Sequence, residues 1–85
     1  MKKQEEKPIG VVIHYYGKIG VAVIKALKRL SKGDTVRFRG SDEFDQRIDS
    51  IQIDHREEAF IPAGREGAVK TEKKVREGDE VYEII

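Results

Sequence analysis

The sequence predicts an all-β protein, a small six-stranded β-barrel that is closed or nearly closed. Three observations carry this. Short stretches rich in β-branched and aromatic residues alternate apolar with polar positions. Turn signals built from Gly, Asp, Ser and Pro return roughly every dozen residues. No stretch shows a sustained helical period without a competing strand pattern.

Residues 1–8, "MKKQEEKP", carry charges of both signs and have nothing to bury, which predicts a disordered tail ending at Pro8. Residues 9–85 then form one domain, small enough to bury only about 60–65% of its unfolded surface. "IGVVIHYY" reads as a strand, with Ile9, Val11, Ile13 and Tyr15 on one face and Val12, His14 and Tyr16 on the other. Gly17-Lys18 supplies a tight turn. "KIGVAVIKALKRL" is open between two readings: Val23, Ala26, Leu27 and Leu30 fall at helical spacing, while Ile19 to Ile24 is β-rich and contains Gly20. A strand over 19–26 with a turn near Leu27–Leu30 suits its neighbours, because two strands flanking Gly17-Lys18 close a hairpin locally.

In "TVRFRG", Val36 and Phe38 face inward, and Arg37 and Arg39 outward, before a turn at Gly40-Ser41-Asp42. The longest strand is expected from Glu43 to His55, with Phe44, Gln46 and Ile48 sharing a face. The step of three from Ile48 to Ile51 predicts a β-bulge at Asp49-Ser50. "REEAFIPAGREGA" reads as a loop broken by Pro62 and Gly64, Ala68 to Thr71 as a short strand, and Glu80 to Ile85 as the last one.

"LSKGDTVRF" and "VREGDEVYEI" repeat one device, at Gly33-Asp34 and Gly78-Asp79. Glycine takes φ > 0 where a Cβ would clash, and the carboxylate that follows can brace the turn. Neither copy has the spacing, lysine and hydroxyl of a phosphate-binding loop, and "GREG" and "GKIG" do not match a dinucleotide fingerprint. The two copies read as equivalent corners.

Composition narrows the function. Without cysteine there is neither a disulfide framework nor a thiolate metal site, and a reducing cytoplasm is the expected setting. With two histidines, His14 and His55, a zinc site would need carboxylates to complete it, and neither a metal nor a cofactor is expected. No apolar run approaches the roughly 20 residues of a membrane span. Net charge is +1, but residues 1–40 hold ten Lys/Arg against three acids (+7), and residues 41–85 hold seven against thirteen (−6). A surface polarised in this way could steer a nucleic acid to one side. Asp54 and His55 adjoin, yet neighbours on a strand point to opposite faces, and Ser31, Ser41 and Ser50 lack a nucleophile elbow. No catalytic constellation is visible. Tyr15, Tyr16 and Lys18, with Arg37 and Arg39, could form a stacking platform, since alternation turns one tyrosine outward.

The ordered set "GVVIHYY", "IGVAVI", "LSKGDTVRFRG", "RIDSIQIDH", "PAGREGAVK" and "VREGDEVYEI" resembles the second domain of translation elongation factors of the Tu and 1-alpha type. The likeness is closest to small stand-alone barrels without a GTPase, through "HYYGKIGVAVI" (14–24) and "SIQIDH" (50–55). A similar barrel is also appended to collagenase-like peptidases. The resemblance implies a six-stranded barrel and settles the ambiguous stretch as a strand. In full factors this domain helps hold the aminoacylated end of tRNA, and in related factors it touches ribosomal RNA. The acceptor-end pocket would use Ser50 to Arg56, where this chain reads Gln52, Ile53, Asp54 and His55.

The expected function is therefore a non-enzymatic, translation-factor-like barrel that binds RNA or a ribonucleoprotein. Its partners would be tRNA, ribosomal RNA or a translation-related protein, with no membrane and no nucleotide cofactor. Candidate contacts are Lys18, Arg37, Arg39, Gln52, His55 and Arg56. The alternative is a protein-interaction or accessory domain that docks on a larger enzyme or complex.

Overall fold

A computed structural model of the chain describes residues 7–84. Ten strands follow in chain order: β1 (Gly10–Tyr16), β2 (Val21–Ala26), β3 (Leu30–Ser31), β4 (Thr35–Arg39), β5 (Glu43–Arg47), β6 (Ile51–Ile53), β7 (Arg56–Glu57), β8 (Phe60–Ile61), β9 (Glu66–Lys70) and β10 (Glu80–Glu83). Eight of them form one sheet in the order β5-β4-β10-β1-β2-β9-β6-β7, and β3 pairs with β8 in a second. All pairings are antiparallel. The disordered tail expected over 1–8 lies outside the described residues except for Lys7 and Pro8, which have no regular structure.

The all-β class is as predicted; the closed six-stranded barrel is not. The large sheet rolls around one core that contains Val12, Ile24, Leu30, Phe38, Ile51, Ile61, Val69 and Val81. Its ladder nevertheless ends at β5 and at β7. At the β5 end a side chain stands in for the missing pairing. Gln46, 5% exposed, donates from Nε2 to the Lys70 carbonyl at 2.9 Å and accepts the Glu72 N–H on Oε1 at 2.8 Å. A buried carboxamide is tolerated here because both ends are satisfied. The sheet edge is thus covered without a backbone ladder.

Two local corrections have the same origin, the loss of a two-residue period. The strand expected from Glu43 to His55 is broken at 48–50: β5 pairs with β4, while β6 pairs with β9 and β7. The offset between Ile48 and Ile51 marks a change of neighbour, and both side chains are fully buried. The bulge occurs in β1 instead, between Val12 opposite Ile24 and His14 opposite Val23. Ile13 is the extra residue and points out at 38% exposure, and the inward set switches from Val12 to Tyr15.

The remaining departures are smaller. The Gly17-Lys18 turn spans four residues, 17–20, with the Ile19 and Gly20 N–H groups both donating to the Tyr16 carbonyl. The loop expected over "REEAFIPAGREGA" contains β7 and β8 and leads into β9, which starts at Glu66. Gly10 marks a tight approach on the inner face. A Cβ there would lie 2.8 Å from Ile24 Cγ2 and 3.3 Å from the Lys25 carbonyl oxygen.

Candidate interaction face

Strand register arranges the outward side chains in rows across the sheet. Glu43, Arg39, Glu80, Val11, Lys25 and Glu66 are successive partners across β5, β4, β10, β1, β2 and β9. A second row runs His14, Val23, Ala68, Gln52 and Glu57 across β1, β2, β9, β6 and β7. A third, at the hairpin end, is Tyr16, Val21 and Lys70. Charge dominates the first row, and apolar or neutral side chains dominate the other two.

The six expected contact residues do not come together on one strand pair. Arg37 and Arg39 are on β4, near one end of the sheet, and Gln52, His55 and Arg56 are at the other end, with β10, β1, β2 and β9 between. Lys18 is exposed in the β1–β2 turn. The two β4 arginines are also engaged. Arg37 Nε donates to Asp45 at 2.7 Å and its Nη2 at 3.3 Å, a two-pronged contact, and Glu43 lies 3.9 Å away. The Arg37 guanidinium holds the Asp45 carboxyl below its ordinary value, chiefly by that hydrogen bond. Arg39 meets Glu43 at 3.8 Å and stacks over the Tyr82 ring at 5.0 Å.

The charge segregation of the sequence is undone by topology. Acidic β10 is inserted between β1 and basic β4, and β5 folds its acids back onto β4. Cross-pairs such as Lys28–Glu83 at 3.5 Å and His14–Glu77 at 3.3 Å join the +7 half to the −6 half. The β4 arginines therefore do not present an acid-free basic face.

At the far end, Asp54 and His55 form the two central residues of the β6–β7 turn with φ of +52° and +67°. That geometry suits a two-residue hairpin and projects both side chains into solvent. They do not act as a pair on the protein itself: Asp54 reaches Arg65 at 3.9 Å. Among the described residues no group of three or more His, Cys, Asp or Glu could hold a metal ion, and no helix is long and apolar enough to cross a membrane.

What remains prominent is the hairpin end of the outer face. Tyr16 is 50% exposed and Ile19 is 64% exposed. Of the two tyrosines, Tyr16 is the outward one, while Tyr15 packs on the core. Beside Val21, a shallow groove is lined by Ser50, Gln52, Ala68 and Lys70. Gln52 belongs to this face and was legible in sequence, as was Lys18, which is exposed in the adjoining turn. Lys70 was not, because only the β2–β9 register brings it next to Val21.

No family model matches the chain. It is 34% identical over 82 residues to an uncharacterized protease of Methanocaldococcus jannaschii, which covers 94% of this chain but 20% of that protein. The chain thus spans about one fifth of the curated relative it matches. Two crystal structures of the C-terminal domain of a protein described as a U32 peptidase, from Geobacillus thermoleovorans, superpose closely. One has a TM-score of 0.86 at 20% identity and covers 100% of this chain and 99% of that domain. The other, a selenomethionine variant, has 0.84 at 21% identity and covers 91% and 99%. These findings overturn the resemblance to translation elongation factors, and with it the assignment to tRNA, ribosomal RNA and the ribosome. The fold is that of a U32 peptidase C-terminal domain.

Proposed function

We propose that this chain is a non-catalytic accessory domain that works docked to a larger, peptidase-type protein. The observation that carries this is a match that takes in 94% of the chain and a fifth of a protease. The crystallised domains of the same fold are likewise excised from a longer protein that is described as a peptidase. Such a domain contributes surface, leaving bond cleavage to the rest of the molecule, and interfaces between domains of this size are moderately polar with a small apolar centre. The outer face, with its apolar and neutral rows beside a charged one, has that composition.

Co-expression with the part of a peptidase of this type that lies outside the matched segment tests the proposal. The domain is expected to co-elute with it as a stable complex and to show no hydrolysis of unfolded protein by itself. Elution of the two as separate species, or hydrolysis by the isolated domain, rules it out.

A further inference from the structure

We propose that the hairpin end of the outer face, around Tyr16, Ile19, Val21 and Lys70, takes up a protein segment that sets an apolar side chain beside a carboxylate. This rests on the accessory role proposed above and names the surface and the chemistry of its partner.

The geometry is prepared for such a contact. Ile19 and Tyr16 are the two most exposed large apolar side chains of the β1–β2 hairpin, and neither belongs to the core. The turn that carries Ile19 is held by two N–H groups, those of Ile19 (3.3 Å) and Gly20 (2.9 Å), on the Tyr16 carbonyl. Gly20 takes φ +67° there. The Thr71 N–H also donates to the Gly20 carbonyl at 2.9 Å, which pins the turn to the end of β9. An anchor ordered in advance loses little freedom on binding. Next to it, Ser50 and Gln52 offer hydrogen-bonding groups to a peptide backbone across the groove from Val21.

Charge selects the partner. The row Tyr16, Val21, Lys70 contains no acid; at the adjoining row the acids are Glu57, beyond Gln52, and Glu77, whose carboxylate is taken up by His14 at 3.3 Å. Lys18 and Lys70 make no ion pair among the described residues. Arg37 and Arg39, by contrast, each have a carboxylate within 4 Å. A carboxylate arriving with an apolar anchor is therefore attracted at this end and met by acids at the other. A second copy of the chain fits poorly. An isologous contact would bring the Lys18 and Lys70 side chains of both copies to the same small patch, where like charges repel. An RNA strand fits poorly as well: the two β4 arginines are engaged elsewhere, and the Tyr16 ring already meets the His14 ring edge-on at 4.3 Å.

The test selects a displayed library of random peptides of about 12 residues against the 85-residue chain. Enriched peptides are expected to carry an aliphatic or aromatic residue next to Asp or Glu. The affinity of the best of them should fall at least about tenfold in Tyr16→Ser/Ile19→Ser and in Lys18→Glu/Lys70→Glu, and stay unchanged in Arg37→Gln/Arg39→Gln. Circular dichroism of each variant establishes that it is folded. Absence of enrichment overturns the proposal, as do selected peptides that lack acids or that shift the resonances of Leu27 and Phe60 in place of Val21 and Lys70. Tighter binding of a single-stranded RNA oligonucleotide than of any peptide also overturns it, as does a solution dimer that Tyr16→Ser dissolves. Should the Tyr16 and Lys70 variants still co-elute with the peptidase body, this patch is wrong while the accessory role stands. Loss of co-elution by the unaltered protein rejects the role itself.

Discussion

The two Gly-Asp corners have the same backbone and opposite fates. At 31–34 and at 76–79, the aspartate N–H donates to the carbonyl three residues earlier, at 3.1 Å to Ser31 and 3.0 Å to Arg76. In both, the carboxylate accepts the N–H of that same residue at 3.0 Å. Gly33 and Gly78 take φ of +95° and +93°. Each corner then exchanges two 2.8 Å hydrogen bonds with one residue of another segment: Gly33 and Asp34 with Ile48, Gly78 and Asp79 with Val12. The short motif thus encodes a complete turn. The environments differ. Asp34 is exposed, whereas Asp79 is 6% exposed and also accepts from the Ser41 N–H at 3.2 Å and the Ser41 hydroxyl at 2.8 Å. The Asp34 carboxylate braces only its own corner; that of Asp79 also ties the β4–β5 hairpin to β10. Equal sequence buys an equal backbone, and the neighbour decides the energy.

The largest expected effect that would sharpen this contrast is Asp79→Ala. It strips an acceptor from the Arg76 N–H and from both groups of Ser41, and should cost about 2–4 kcal/mol in urea unfolding. Asp34→Ala, which removes one exposed contact, should cost less than about 1 kcal/mol by the same measurement. Equal losses would mean that the Ser41 contacts contribute nothing.

Next in size are Gly33→Ala and Gly78→Ala. Both glycines have open space where a Cβ would stand, so only the φ penalty remains, about 1–2 kcal/mol. The two values should agree to within about 0.5 kcal/mol, although the aspartates beside them differ. A large gap between them would show that the corners are not equivalent even in backbone.

The smallest effect separates a carboxylate braced by backbone from one braced by a charge. Asp45 is exposed and its carboxyl is lowered by Arg37. A depressed folded value contributes stability above the unfolded value of about 3.9, and this is lost as pH falls through the folded value. Following the Asp45 carboxyl carbon by NMR, its titration should move up towards the ordinary range in Arg37→Gln. An unmoved titration would remove Arg37 as the cause.

Much of the fold was legible from local pattern. The β1–β2 hairpin, the β4 alternation and both corners follow from β-branched residues, outward arginines and glycines that need φ > 0. The candidate face was legible only in part. Lys18 and Gln52 could be picked out as exposed polar residues, and Tyr16 as one of two tyrosines, but nothing in the sequence near them points to Lys70. Its place beside Val21 comes from a strand pairing across nearly fifty residues. The bulge at Ile13 was illegible for a related reason. In "VVIHYY" every position is apolar or aromatic except His14, so a shift of one leaves no polar mismatch to betray it.

By itself, the sequence determined the class, the corners and most strand positions, because those depend on backbone freedom and on a period of two that operates within a few residues. Only the tertiary structure decided that the ladder stays open, with Gln46 covering its edge, and that Ser41 leans on Asp79. It alone placed the acids of β5 and β10 beside the arginines of β4. These outcomes depend on which distant segments become neighbours, and a Coulomb or hydrogen-bond partner exists only once two groups are within a few ångströms. The +7 and −6 halves were real in the chain; folding interleaved them.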